Sequence, residues 1–325
     1  MAFLKSRTLA GILVGALYGL AIRLGVANQH IHPVIDAIST AFLFVCPFSV
    51  GAIAVLWGAQ KDVRVGLRRQ LGMACAAMGL FLLGMFGTFL EGLICIVLVV
   101  PVFMLAAMAG GLAGGALHNY GRVNDATLPA LALLPFLLGP LEQGLPPQRS
   151  EQTVTTTLHV AAPPDVVFDR LLDVRGIRPD ELGFSVVHLI GLPRPLEAEM
   201  RGSGPGAVRT SRWEKNVWFQ EVITASEPGR ALRYRFVVPA GAIPREALDE
   251  HVEINGAYFE LVDGAYTLAP APGGGTALSL TTRFVNKSRL TTYGNLWGRL
   301  VLGDFHRAIL VLMKSRAERV VRTGA

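Results

Sequence analysis

The sequence has almost no charge over a long stretch of its first half. Of its 325 residues 17% are charged, yet Glu91 is the only charged residue between Gln70 and Leu117. From Glu151 onward, charged residues recur every few positions. This change in composition predicts two parts of different kinds, a transmembrane helical domain over residues 1–145 and a water-soluble domain over residues 150–325.

Cysteine is also scarce, and it is absent from the second half. Cys46, Cys75 and Cys95 all lie in apolar stretches, where buried packing thiols are expected. The soluble half therefore has neither a disulfide nor a thiolate zinc site. The sequence also has no G-x-S-x-G motif and no phosphate-binding glycine loop, which removes two common catalytic designs. We predict no catalytic residue, no metal site and no cofactor.

The net charge of +6 does not predict binding to nucleic acid. Much of the excess lies in short loops between apolar stretches, and the soluble half has no basic run that could follow a phosphate backbone. The loop containing Arg64, Arg68 and Arg69 is typical of cytoplasmic loops. Lys5 and Arg7 then place the N-terminus in the cytoplasm.

Four apolar stretches reach the length of about 20 residues that a helix needs to cross a bilayer. They are residues 8–27, 37–59, 70–90 and 92–117. The basic start of the first also fits a cleaved signal peptide, but its length favours a retained anchor. Glu91 falls at the tip of a tight hairpin, where we expect it in the headgroup region. Glycines repeat at intervals of four residues (Gly11, Gly15 and Gly19; Gly110 and Gly114; Gly111 and Gly115) and predict close helix packing.

A fifth apolar stretch, Ala126–Leu141, decides the side on which the soluble half lies. It contains three prolines, and as a helix its 16 residues reach about 24 Å. We expect it to cross with help from flanking residues, as the fifth crossing of a multi-pass protein of the cell (inner) membrane. The soluble domain is then extracytoplasmic. If the stretch lies in the interface instead, the domain is cytoplasmic.

The soluble half has an ordered series of predicted elements. A strand at 153–160 precedes a helix at 161–174 and a second short helix. A series of strands with alternating apolar residues follows, and a long helix over about 289–322 ends the series. Residues 239–257 interrupt the strands as an insertion. We therefore expect an antiparallel sheet with one face covered by the last helix.

This order resembles the START-like, helix-grip superfamily, which includes the polyketide cyclase/dehydrase family and plant pathogenesis-related proteins. The residues that carry the resemblance lie at 159–174, 223–236, 266–284 and 300–318. It covers roughly residues 150–322 and rests on layout rather than on a catalytic motif. The resemblance implies a sheet curled around the long C-terminal helix, with a pocket for an apolar ligand between them.

Several residues are candidates for the lining of such a pocket. They are Tyr234, Phe236, Tyr266, Phe284, Tyr293, Trp297 and Glu221. Each aromatic residue has the alternative interpretation of an ordinary core residue. Glu221 and Glu214 are the carboxyl groups that burial would suit to acid–base chemistry.

The remaining polar residues do not form an obvious site. Asp304 and His306 are two positions apart on a helix, so their side chains point in different directions. His251 lies among acidic residues, and His30 and His32 flank a loop without lysine or arginine. A zinc site needs three or four converging ligands, and nothing near His251 completes one. For His30 and His32 we expect an interfacial position.

Three functions fit these observations. The first is a membrane-anchored protein that binds a hydrophobic, lipid-like molecule next to the lipid bilayer. The second is a cyclase- or hydrolase-type enzyme with an apolar substrate. The third is a structural or sensory protein whose domain grips a protein partner, which the sequence does not identify. Nucleic acid is not an expected partner of any of them.

Overall fold

The computed structural model describes residues 2–27, 39, 41–143, 148–244, 247–248 and 253–323. They divide into two compact units, Met1–Pro147 and Gln148–Ala325. The first unit is helical: α1 is Ala2–Ala27, a π-helical turn Ala41–Val45 leads into α2, Cys46–Gly58, and then follow α3, Leu67–Gly87, α4, Leu93–Asn119, and α5, Thr127–Gln143.

Four of these helical stretches are long and apolar enough to cross a membrane. They are Ser6–Gly25, Ala41–Gly58, Leu67–Gly87 and Leu93–Asn119. The four predicted spans are thus confirmed in length and composition.

The glycines at four-residue intervals lie where helix backbones approach each other. A Cβ added at Gly11 would overlap the carbonyl oxygen of Ala54, and one at Gly110 would overlap that of Phe48. Since a side chain at these positions would push the helices apart, α1 and α4 can approach α2 closely only with glycine here. The packing role predicted for these glycines is confirmed.

Glu91 has a partner that the sequence does not indicate. Arg23 Nε donates to Glu91 Oε1 at 2.8 Å, and Arg23 Nη2 donates to the carbonyl of Leu90 at 3.1 Å. The two charged side chains are only 7% and 9% exposed. The pair joins α1 to the turn between α3 and α4, 68 residues further along the chain. Glu91 lies in the tight turn between α3 and α4, as predicted. Whether this turn lies in the headgroup region stays a prediction.

Helix α5 is shorter than the four spans, with 17 residues, and Pro135 and Pro140 lie inside it. Proline has no N–H, so Pro135 leaves the carbonyl of Leu131 without its helical donor. Ser49 Oγ in α2 donates to that carbonyl at 2.9 Å, and Tyr18 in α1 donates to the carbonyl of Ala132, also at 2.9 Å. These bonds hold α5 within the helical unit. Whether it crosses the membrane stays a prediction.

The described residues of the second unit form seven strands and three α-helices. In chain order they are β1, Ser150–Val160, α6, Pro164–Leu172, α7, Val186–Leu189, β2, Pro195–Arg201, β3, Val208–Trp213, β4, Trp218–Glu227, β5, Ala231–Val237, β6, Phe259–Pro270, β7, Thr276–Asn286, and α8, Thr291–Thr323. The strands form one sheet in the order β1-β7-β6-β5-β4-β3-β2, and every neighbouring pair is antiparallel.

Alternating side chains give the sheet an inner and an outer face. Along β7 every second residue, from Thr276 to Asn286, is buried, and the residues between them are half-exposed. Leu278 and Leu280 belong to a core that also contains Leu310 and Met313 of α8. The long helix therefore covers the inner face of the sheet, which is the helix-grip fold, and the predicted fold class is confirmed.

Candidate functional site

A row of aromatic rings lies across the inner face of the sheet. Neighbouring ring centroids are 5.8 Å apart for Trp213 and Phe219, 5.7 Å for Phe219 and Phe236, 5.3 Å for Phe236 and Tyr234, and 6.0 Å for Tyr234 and Tyr266. These side chains come from four adjacent strands, β3 to β6, at inward-facing positions. Such rings provide large, rigid apolar surfaces at low cost in conformational entropy.

Helix α8 and α7 close one end of this row. The ring of Phe305 in α8 lies 5.5 Å from Trp213 and 5.3 Å from His188 in α7. Asp304 accepts hydrogen bonds from Ser185 Oγ at 2.6 Å and from the Val187 amide at 3.0 Å. These two bonds fix α7 on α8 beside the aromatic row.

A buried ion pair lies next to the aromatic row. Arg209 of β3 and Glu221 of β4 are direct cross-strand partners, and both face inward. Arg209 Nε donates to Glu221 Oε2 at 2.6 Å, and a second guanidinium nitrogen contacts the same oxygen. Ser211 Oγ donates to Glu221 Oε1 at 3.2 Å, and Arg209 also donates to the carbonyl of Leu171. Every charged atom of the pair thus has a close partner, as buried charges require.

The guanidinium of Arg209 also contacts two tyrosine rings of the row. Its carbon lies 5.5 Å from the ring centroid of Tyr234 and 5.4 Å from that of Tyr266. Burial alone would lower the pKa of Arg209, but attraction to Glu221 outweighs it, and the pKa is raised. Burial raises the pKa of both Tyr234 and Tyr266. The arginine therefore stays charged, and both tyrosine hydroxyls stay protonated.

His306 of α8 adds an uncharged polar group on the opposite wall. Its Nε2 lies 2.8 Å from Thr282 Oγ1 of β7, and its Nδ1 has no hydrogen-bond partner in the described parts of the chain. Burial lowers the pKa of His306 to about 4. The imidazole is therefore neutral at physiological pH, and one of its nitrogens is left for a further hydrogen bond.

The structure brings four of the predicted lining residues together: Glu221, Tyr234, Phe236 and Tyr266. The other three lie elsewhere on the inner face or on α8. The ring of Phe284 packs on Phe259 at 5.2 Å, and a Cβ at Gly298 of α8 would contact it. Tyr293 and Trp297 form a ring pair at 6.2 Å in the first turns of α8. For all seven residues, a part in ligand binding stays a prediction.

The other polar candidates have structural positions of their own. Glu214 does not join the buried group, because its carboxylate accepts from the Arg194 amide at 3.0 Å in the turn after β3. Asp304 and His306 do point in different directions. His30, His32 and His251 lie outside the described residues. Within the described ranges, no three His, Cys, Asp or Glu side chains are grouped so that they could hold a metal ion.

Sequence reasoning missed Arg209, Trp213 and Phe219. Arg209 and Arg212 lie on one short strand, and the sequence does not show which of them faces inward. The available signal was the alternation itself, since Arg209, Ser211 and Trp213 share a face. Cross-strand pairing with Glu221 then identifies that face as the inner one.

Comparisons with known proteins agree with the fold at low similarity. No protein-family profile matches the chain, and no curated protein matches it. Among solved structures, the Zhui aromatase/cyclase from a Streptomyces species is 19% identical, with a TM-score of 0.34, and the match covers 54% of this chain and 99% of that one. A truncated norcoclaurine synthase from Thalictrum flavum is 12% identical, with a TM-score of 0.32 and coverages of 52% and 96%.

Ara h 8.0201 is 16% identical, with a TM-score of 0.33 and coverages of 53% and 99%. At these identities and scores the likeness carries no function over to this chain. The fold follows from the strand order and helix α8 described above.

Proposed function

We propose that the protein is a membrane-anchored binding protein that holds a hydrophobic, lipid-like ligand between the sheet and α8. The observation that carries this proposal is the aromatic row with its buried polar groups. An interior that served stability alone would need neither a buried ion pair nor an unpaired imidazole nitrogen, since apolar residues of similar volume are often as stable or more so. Apolar walls with a few fixed polar groups are typical of small-molecule sites.

The polar groups support a ligand with one polar end. The hydroxyls of Tyr234 and Tyr266 and the free nitrogen of His306 are neutral, so they suit an uncharged oxygen such as a carbonyl or hydroxyl. The rings of Phe219, Phe236 and Trp213 suit the apolar remainder. The helical unit of the same chain would keep this interior close to a source of such molecules.

Native mass spectrometry of the full chain, released from lipid nanodiscs, tests the binding proposal. We expect an apolar molecule to remain bound, and Trp213→Ala to reduce its occupancy several-fold. Trp218→Ala is the matched control, because Trp218 begins the next strand and faces outward. Phe236→Leu provides a smaller change if Trp213→Ala does not fold. A wild-type chain with no retained molecule and no affinity for added lipid or fatty acid would refute the proposal.

We further propose that α5 crosses the membrane, which places the second unit outside the cytoplasm and the N-terminus inside. The 17-residue length of α5 and its bonds to α1 and α2 support this arrangement. A cysteine introduced at Thr224, an exposed position on the outer face of β4, tests it. We expect a membrane-impermeant maleimide to label it in intact cells. Labelling only after the cells are opened would place the unit in the cytoplasm.

A further inference from the structure

The segment around α7 exposes large apolar side chains. Phe184 is 80% exposed, Leu189 69% and Val186 49%, while Val187 between them is buried against the domain. Full burial of one such side chain is worth about 1.5–3 kcal/mol, so three together are costly to leave in water. Exposed apolar clusters of this kind mark interaction surfaces.

Helix α8 extends this apolar area. Asp304 binds the N-terminal end of α7 through Ser185 and Val187, so α7 lies over this part of α8. Leu300 and Leu296 precede Asp304 by one and two helical turns and therefore lie on the same side of α8. They are 54% and 48% exposed. We call Phe184, Val186, Leu189, Leu296 and Leu300 together the α7–α8 surface.

Three exposed basic side chains lie beside this surface. Arg299 and Arg307 are exposed on the same side of α8 as Leu296 and Leu300. Lys215 is exposed as well, and its Nζ donates to the carbonyl of Gly191 at the end of the α7 segment at 2.7 Å. Asp304 is the only acidic residue between Thr291 and Arg307, and one of its oxygens is occupied by α7. Leucine and phenylalanine flanked by arginine and lysine are the composition of segments that lie in the interface of anionic membranes.

The chain itself favours a bilayer over a protein as the occupant. Its described residues include four helices long and apolar enough to cross a membrane. From Gln143 at the end of α5 to Ser150 at the start of β1 the chain spans seven residues, which reach at most about 25 Å when fully extended. When the helices are inserted, the second unit cannot leave the membrane surface. The tether gives the second unit a high effective concentration at the bilayer, so even a small surface on it can bind lipid.

We propose that the α7–α8 surface, with Arg299 and Arg307 beside it, inserts into the headgroup region of an anionic lipid bilayer. Since α7 covers one end of the aromatic row, docking would bring that end of the interior to the lipid. The inference concerns the outer surface only and holds whether or not the interior binds a ligand.

The test uses the full chain in nanodiscs of phosphatidylcholine, with or without phosphatidylglycerol. Its native cysteines are replaced, and an environment-sensitive fluorophore is attached at Leu189→Cys, at Leu300→Cys or, as a control, at Thr224→Cys on the outer sheet face. We expect the labels at 189 and 300 to report a lipid environment in the anionic discs and the label at 224 to report water. Arg299→Gln with Arg307→Gln should lower the ratio of docked to undocked protein about 25-fold, at about fivefold for each arginine.

The control for charge is Arg233→Gln with Arg235→Gln, which removes the same charge from the outward face of β5 and should leave the ratio unchanged. If the labelled variants do not fold, hydrogen exchange is measured instead on the unlabelled chain, which keeps its native cysteines. Residues 183–191 should then exchange more slowly in anionic discs than in phosphatidylcholine discs. Three results would overturn the proposal: equally aqueous labels at all three sites, no dependence on the anionic lipid, or a response that appears only with two chains per disc, which would identify a second copy as the occupant.

Discussion

Removal of the charge of Arg209 should destabilise the second unit strongly, because it leaves the buried carboxylate of Glu221 without its counter-charge. In Arg209→Met, Glu221 loses both guanidinium contacts and keeps only the Ser211 hydroxyl at 3.2 Å. The carbonyl of Leu171 loses its donor too. Breaking one side of a buried ion pair costs about 3–5 kcal/mol. For a domain of this length, that lowers Tm by roughly 6–20 °C.

The double variant Arg209→Met with Glu221→Leu should recover most of this loss. Both charges are then absent, and apolar side chains of similar volume replace them, which is often neutral. We expect the double variant to be more stable than Arg209→Met by about 3 kcal/mol. Such a recovery of stability would show that the unpaired charge of Glu221 causes the destabilisation of Arg209→Met.

Arg212→Met is the matched control for this cycle. Arg212 lies on the same strand but on the outer face, and its Nη1 donates to Glu197 at 2.7 Å while remaining exposed. An exposed ion pair contributes at most about 1 kcal/mol. The measurement is thermal unfolding of the full chain in nanodiscs, followed by tryptophan fluorescence, since three of the four tryptophans lie in the second unit. The reasoning fails if Arg209→Met and Arg212→Met shift Tm equally, or if the double variant is no more stable than the single one.

Three further predictions concern other buried polar groups. The pKa of His306 is lowered to about 4 in the folded chain, whereas in the unfolded chain it is near 6.5. As the pH falls below 6.5, His306 is therefore protonated in the unfolded chain before it is protonated in the folded chain, and this favours unfolding. The wild type should therefore lose about 2 kcal/mol more stability than His306→Gln between pH 7 and pH 5 in denaturant titrations, and equal losses would contradict the shift. Glu91→Leu should destabilise the helical unit by a few kcal/mol, because it leaves Arg23 buried without its partner. The double variant Arg23→Leu with Glu91→Leu should be destabilised less. Thermal aggregation in detergent measures the stability of each variant, and losses that simply add would argue against a coupled Arg23–Glu91 pair. Ser49→Ala should lower the free energy of unfolding by about 1 kcal/mol. In a Pro135→Ala background it should cost less, because the amide of residue 135 can then donate to the carbonyl of Leu131. An equal cost in both backgrounds would show that Ser49 does not compensate for the donor that Pro135 lacks.

The helical half could be predicted closely because the length and apolarity that let a helix span a membrane are local properties of the sequence. The four spans and the glycine contacts follow from spacing within single segments. The Arg23–Glu91 pair could not be predicted, since packing of α1 on the α3–α4 turn brings together residues far apart in the chain. The bond from Ser49 to the carbonyl that Pro135 frees depends on the same packing.

In the second half, element order and alternation are local properties, and they predicted an antiparallel sheet covered by a long helix. The resemblance of that order implied the helix-grip fold. Of the candidate site, the sequence named Glu221, Tyr234, Phe236 and Tyr266 as possible lining residues, and the structure brings these four together on the inner face. It missed Arg209, since Arg209 and Arg212 look alike until strand register determines which of them meets Glu221.

The sequence by itself determined that this chain has an apolar helical half and a half with an antiparallel sheet covered by a long helix, because hydrophobic periodicity depends only on neighbouring residues; the helix-grip arrangement came from the resemblance of that order. Only the tertiary structure decided which charges are paired inside and which apolar side chains remain outside. Those depend on contacts between distant segments: the register of β3 on β4 buries the Arg209–Glu221 pair, and the bonds of Asp304 to α7 hold Phe184 and Leu189 at the surface beside Leu300.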